Sequence, residues 1–183
     1  MTYRNGTYVA FDGNDTTDPT KSDLKYYGLL QSWNSQKQYN FSFSDSHKKT
    51  YAVKDTSSTD TLKSRLMERM RNSKNVLLII SEDTNWNRGL LNYEIEKAVD
   101  FYKLPIIITY PKYNAILNPI LLKDTWTKAL SDRIFNSQAK CIHIPFIKNV
   151  IIDAISQFTV HNNKLTGSLE YYSEDSYKSW GLI

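Results

Sequence analysis

The chain has 183 residues, 40% of them hydrophobic and 13% aromatic, enough to bury one core. Lys and Arg number 23 against 19 Asp and Glu, a formal net charge of +4, but the basic residues are scattered and form neither the stripe nor the helix face of a nucleic-acid footprint. A lone cysteine, Cys141, excludes an internal disulfide, no apolar run reaches membrane length, and the amino terminus carries no apolar leader, so a cytoplasmic protein is expected.

Residues 7–11 (Thr-Tyr-Val-Ala-Phe) read as a first strand that ends at Asp12-Gly13-Asn14-Asp15, residue types that turn and cap. From Lys21 to about Gln36, Leu24, Tyr27, Leu30 and Trp33 line one helical face, with Pro19 and Ser22 as start signals. Phe41-Ser42-Phe43 alternates and fits a short second strand at a sheet edge. The polar stretch 45–60, with Lys48, Lys49 and Lys54, is long for an α/β loop. Asp60 or Thr61 then caps a helix with Leu62, Leu66, Met67 and Met70 on its face.

Residues 76–80 (Val-Leu-Leu-Ile-Ile) form an unbroken branched run, the mark of a strand buried on both faces of a parallel sheet. The run stops at Ser81-Glu82-Asp83-Thr84. After a loop with Trp86 and Gly89, Leu90, Leu91, Ile95, Ala98, Val99 and Tyr102 recur at helical spacing, with Glu94 in the early turns. Residues 106–109 form a fourth strand, 122–135 a helix, 140–146 a fifth strand ended by Pro145, and Val150, Ile151, Ala154, Ile155 and Phe158 a last amphipathic helix. Cys141 and His143 fall in the fifth strand and read as a buried thiol and a satisfied core histidine. Residues 161–183, rich in Tyr and Ser, read as an appendage packed on a domain of residues 1–160.

Five strands alternating with helices predict an α/β fold: three layers around a doubly wound, five-stranded parallel sheet, flavodoxin-like, in the order 2-1-3-4-5. In that order the first and third strands are neighbours at the switch point, where Asp12 to Asp15 and Ser81 to Thr84 flank one cleft with Glu94 above it. No Gly-x-x-x-x-Gly-Lys or Gly-x-Gly-x-x-Gly sequence is present, which removes the common phosphate-cradling loops. A flavin site would need a glycine among Thr16, Thr17 and Thr20. A phospho-receiver reading finds Asp12, Asp15, Asp83 and Thr109 in loosely suitable places, but Lys148 lies past Pro145. His47, His143 and His161 are too dispersed to bind zinc, and no metal is expected.

Phe11 with Asp15, the long loop after the second strand, and the run Ile79-Ile80-Ser81…Thr84…Tyr93-Glu94-Ile95…Ala98 resemble the TIR-like family. Within it they are most similar to the branch found in the ThsB proteins of bacterial Thoeris anti-phage systems. The similarity covers residues 7–98 and extends to the later strands by pattern. Tyr93-Glu94-Ile95-Glu96-Lys97-Ala98 resembles the family's Tyr/Lys-Glu-Ile-x-x-Ala helix, whose glutamate is the catalytic residue of NAD-cleaving members. Such proteins commonly carry a tryptophan four residues before that glutamate and a small hydroxyl in the first strand; this chain has Leu90 and Ala10 there.

The resemblance implies a signalling protein that cleaves NAD+ at the nicotinamide glycosidic bond and makes an ADP-ribose-type or cyclic product. Nicotinamide is a cationic leaving group, so the reaction needs no general acid, only stabilisation of an oxocarbenium-like ribosyl centre and a grip on the ribose hydroxyls. Glu94 would be the catalytic carboxylate. Phe11 or Trp86 would stack on a base, and Arg88 or the lysines of the 45–60 loop would hold the pyrophosphate. Asp12, Asp15, Asp45, Ser81 and Thr84 complete the expected substrate-binding set. NAD+ would be substrate, with no resident cofactor. A partner would be a second copy or a nucleotide-sensing effector protein, and neither nucleic acid nor a membrane is expected. The other use of such a domain is a non-catalytic adaptor that self-associates. Without the resemblance, a glutamate near a helix start is explained by the helix dipole alone.

Overall fold

Along each strand, residues of alternate number go to opposite faces of one sheet, which is what a two-residue side-chain period requires. In the computed structural model, which describes residues 4–14, 16, 18–35, 59–87 and 89–183, the strands are β1 (Gly6–Ala10), β2 (Ser73–Ile79), β3 (Ile106–Tyr110), β4 (Cys141–Pro145) and β5 (Glu170–Tyr171). They lie in the order β1-β2-β3-β4-β5, all parallel. The registers Tyr8↔Val76↔Ile106↔Cys141 and Val9↔Leu77↔Ile107↔Ile142 set each face.

One face carries Tyr8, Ala10, Val76, Leu78, Ile106, Ile108 and Cys141. It is covered by α2 (Thr59–Arg71), α3 (Gly89–Glu96) and α4 (Lys128–Phe135). The other carries Val9, Phe11, Leu77, Ile79, Ile107, Ile142 and Ile144 under α1 (Leu24–Ser35) and α5 (Lys148–Gln157). This is the doubly wound parallel α/β sandwich read from the sequence. The four long strands keep the expected neighbours, and the residue 41–43 strand lies outside the described residues. The helix after β1 goes to one face and the helices flanking β2 to the other, so the chain reverses its winding between β1 and β2.

One part differs from the sequence reading, and the tail adds elements that the reading left unassigned. Residues 119–135 are not one helix. A 3-10 turn, Pro119–Thr125, is separated from α4 because Trp126 and Thr127 adopt extended backbone, which sends the indole fully into the core. The tail adds β5 to the sheet edge and then α6 (Glu174–Ser179), capped by Ser173, which buries Tyr177 in the α1/α5 layer.

Among the described residues, the polar side chains inside the core are paired, except the Thr127 hydroxyl, which is buried without a partner. Asn75 accepts from Thr7 Oγ1 at 2.7 Å and donates to the carbonyls of Ile155 and Phe158, which ties β1, β2 and the end of α5. Trp126 Nε1 donates to Tyr110 Oη (2.8 Å), Tyr110 Oη bonds His143 Nδ1 (2.8 Å), and His143 Nε2 bonds the Ser168 carbonyl (3.0 Å). A carbonyl only accepts, so Nε2 carries the proton and Nδ1 accepts from the tyrosine. His143 is the satisfied core histidine of the sequence reading, and burial holds its pKa down to about 4. Cys141 is fully buried and its thiol is pushed up. Among the described residues, no helix is long and apolar enough to cross a membrane.

Candidate active site

Helix α3 buries Leu91 and Ile95 against the sheet, and Glu94, beside Ile95, is turned the same way. The residue is 3% exposed. Tyr8, in the middle of β1 on that face, donates its hydroxyl to Glu94 Oε1. Loss of solvent pushes the Glu94 pKa up to about 8, while the Tyr8 hydrogen bond and the positive Arg69, in the last turn of α2, pull the other way. Glu94 is therefore a neutral acid at pH 7 in the resting protein. Tyr8 itself is raised by burial and by the adjoining carboxyl.

Tyr93, the preceding residue, lies between two cations: Lys63 Nζ of α2 is 5.0 Å from its ring centre and Lys97 Nζ 5.4 Å. An open hollow of about 620 Å³ runs over Tyr93 between α2 and α3, edged by Lys63, Ser64, Glu68 and Arg71. Helix α3 continues into a π-helical turn, Lys97–Phe101. Leu90, four residues before Glu94, is 38% exposed.

At the carboxyl ends of β1 and β2 the loops are knitted by carboxylates. Asp12 Oδ1 accepts from the Asn14 N–H (2.8 Å) and Oδ2 from the Asn85 N–H (3.0 Å), which joins the two loops. Asp23, just before α1, accepts from the hydroxyls of Ser81 and Thr84, the latter at 2.8 Å. Those hydroxyls are also acceptors: Ser81 Oγ from the Asp83 N–H and Thr84 Oγ1 from the Ser81 N–H. Burial raises the pKa of Asp23 to about 6. Asp12, Ser81 and Thr84 therefore meet in one place, as the sheet order requires, and their polar atoms hold the loops to each other.

The structure separates other members of the expected set. Phe11 is buried on the opposite face of the sheet from Glu94 and stacks on Tyr27 of α1, with centroids 4.8 Å apart. It is a core ring, because alternation along β1 sends it away from Tyr8. Trp86 is 51% exposed and edges a hollow of about 340 Å³ with Lys123, Asp124, Ser131 and Phe135. Its carbonyl accepts from the Lys128 N–H at the start of α4. Asp15, Asp45 and Arg88, and the lysines of residues 45–58, lie outside the described residues.

The sequence reading passed over Tyr8, Arg69 and Asp23. The first was open to period-two reasoning once Phe11 was placed in a strand. The other two act across long stretches of sequence and left no local signal.

The family model for the TIR-like domain of Thoeris protein ThsB matches residues 8–116, more than half of the chain. The chain belongs to the ThsB TIR-like family. The matched stretch begins at Tyr8, the residue that holds Glu94, and includes β2, α3, Asp12, Asp23 and the 81–87 loop. As a ThsB TIR-like domain this is a Thoeris-type TIR-like defence protein.

Proposed function

We propose that this ThsB TIR-like domain cleaves the glycosidic bond between nicotinamide and ribose in NAD+, with Glu94 as the catalytic residue. The observation that carries the reading is the Glu94 carboxyl itself, buried at the α3–β1 contact and directed by Tyr8. Burial costs a carboxyl several kcal/mol in its charged form, and proteins retain such groups where chemistry uses them.

The cation of the substrate resolves the protonation of Glu94. A pyridinium within a few ångström favours the ionised carboxyl, so substrate entry and proton loss from Glu94 are coupled. The C1′–N bond then breaks, its electron pair leaves with nicotinamide, and the carboxylate faces the positive ribosyl centre. Water, or a hydroxyl or ring nitrogen of the same molecule, bonds C1′ and loses a proton. The product is ADP-ribose or a cyclic relative of it. Tyr8 is a positioning residue, keeping the carboxyl oriented as its charge changes. Asp12, Asp23, Ser81 and Thr84 hold the loops after β1 and β2 to each other, and Trp86 offers an exposed ring for a base.

The test is nicotinamide release from NAD+, measured with the purified chain and in lysate of phage-infected cells. Release that disappears in Glu94→Gln with the fold intact supports the reading. Equal release from the variant contradicts it. The adaptor reading instead expects self-association to proceed unchanged in Glu94→Gln, with no turnover in either protein.

A further inference from the structure

The other end of the sheet carries a further cavity, distinct from the two hollows described above and from the Glu94 region. It holds about 380 Å³ and lies at the amino ends of β3 and β4 and just before β1. Ligand sites in open α/β sheets ordinarily sit at the carboxyl ends, so the fold alone does not call for a pocket here. Three cations line it: Arg4, Lys103 and Lys140. No acid lines it. Asp100, whose carboxylate feels the charge of Lys103, is held by Arg133 on α4. Lys103 and Lys140 have no ion-pair partner among the described residues. Arg4 spends one N–H on the Tyr102 carbonyl (3.1 Å) and lies 5.9 Å from the Tyr102 ring centre, which fixes its guanidinium at the rim.

The floor is of another kind. Tyr102, Leu104, Pro105 and Leu165 are buried there and present apolar surface. Lys103 also stands in left-handed backbone, φ +54°, where the chain leaves the π-helical turn for β3. Glycine or asparagine fills such a position at low cost, and a lysine there costs about 1 kcal/mol. The site thus keeps a charged side chain at a conformational expense.

We propose that this cavity binds a phosphomonoester with a flat or apolar body, of mononucleotide size. Three cations around one cavity match the −1.5 to −2 charge of such a phosphate better than the single charge of a carboxylate. A volume of about 380 Å³ falls in the ordinary range for small-molecule sites, and the apolar floor takes the body while the rim takes the phosphate. The site stands independently of NAD+ cleavage at Glu94.

Calorimetric titration of the full chain with AMP, inorganic phosphate and adenosine tests this. AMP is expected to saturate a single site, with phosphate and adenosine each at least about tenfold weaker. Lys103→Gly and Lys140→Gln are each expected to weaken AMP about tenfold. Lys103→Gly should also raise the melting temperature, since it relieves the strained backbone, which separates lost binding from lost folding. AMP affinity should stay unchanged in Glu94→Gln. Absence of saturable AMP binding, phosphate binding as tightly as AMP, or binding that survives both lysine changes and vanishes in Glu94→Gln overturns the proposal.

Discussion

At neutral pH the Glu94 carboxyl keeps its proton, and this has consequences for activity and stability that run in opposite directions. The unfolded chain loses that proton near the ordinary glutamate value of about 4.3, the folded chain near 8. The native state therefore holds the extra proton between those values, and stability falls as pH rises through the window, by up to about 1.4 kcal/mol per pH unit. Asp23 acts with the same sign, but only up to about 6. His143, held down to about 4, acts with the opposite sign, adding stability as pH rises from 4 to its unfolded value of about 6.5. Between about 6.5 and 8 Glu94 dominates these displaced groups. The melting temperature of the wild type should fall across that range while that of Glu94→Gln stays level and higher. A parallel decline in both would show that Glu94 is not the group responsible. Tyr8→Phe removes the bond that favours the charged carboxyl, so the activity midpoint should move to higher pH, at a stability cost of about 1 kcal/mol. A midpoint that stays in place would remove Tyr8 from the positioning role.

Elements place these residues, and here the reading from sequence reached some features and not others. The apolar run of residues 76–80 and the regular spacing from Leu91 to Ala98 carry their own strand and helix signals, so β2 and α3 were legible. With them came the neighbouring loops of β1 and β2. Phe11 looked like a ring free to stack because its strand was read without assigning faces; the two-residue period puts it under α1 and Tyr8 under α3. Asp23 was opaque for a different reason. Its partners, Ser81 and Thr84, are 58 and 61 residues away, and no local pattern encodes such a bond. Asp23→Ala strips the acceptor from both hydroxyls at once. Amide hydrogen exchange in residues 81–87 should accelerate, and stability should drop by roughly 1–3 kcal/mol. Unchanged exchange there would mean that the loops hold together without the carboxylate.

In the whole molecule, the sheet is completed by its tail. Strand β5 is two residues long and half polar, and α6 has six residues, so neither carries a periodic signal; one side chain, Tyr177, fully buried, decides their place. Tyr177→Ala should cost about 3–5 kcal/mol, the usual penalty for emptying a large aromatic site. Cutting the chain after residue 160 should cost more, because His143 also loses the Ser168 carbonyl that its Nε2 proton requires. Equal stability of the cut and full chains would show the tail to be dispensable. These packing terms support the fold around Glu94 rather than the chemistry, which is tested separately. The most direct test is the pH dependence of nicotinamide release from NAD+ by wild type and Glu94→Gln, read as kcat/KM. A carboxylate that must ionise gives a rate rising with pH to a plateau above about 8, and the variant gives none at any pH. A rate that is flat or falls with pH, or release that persists in Glu94→Gln, would contradict the assignment of the cleavage to this side chain.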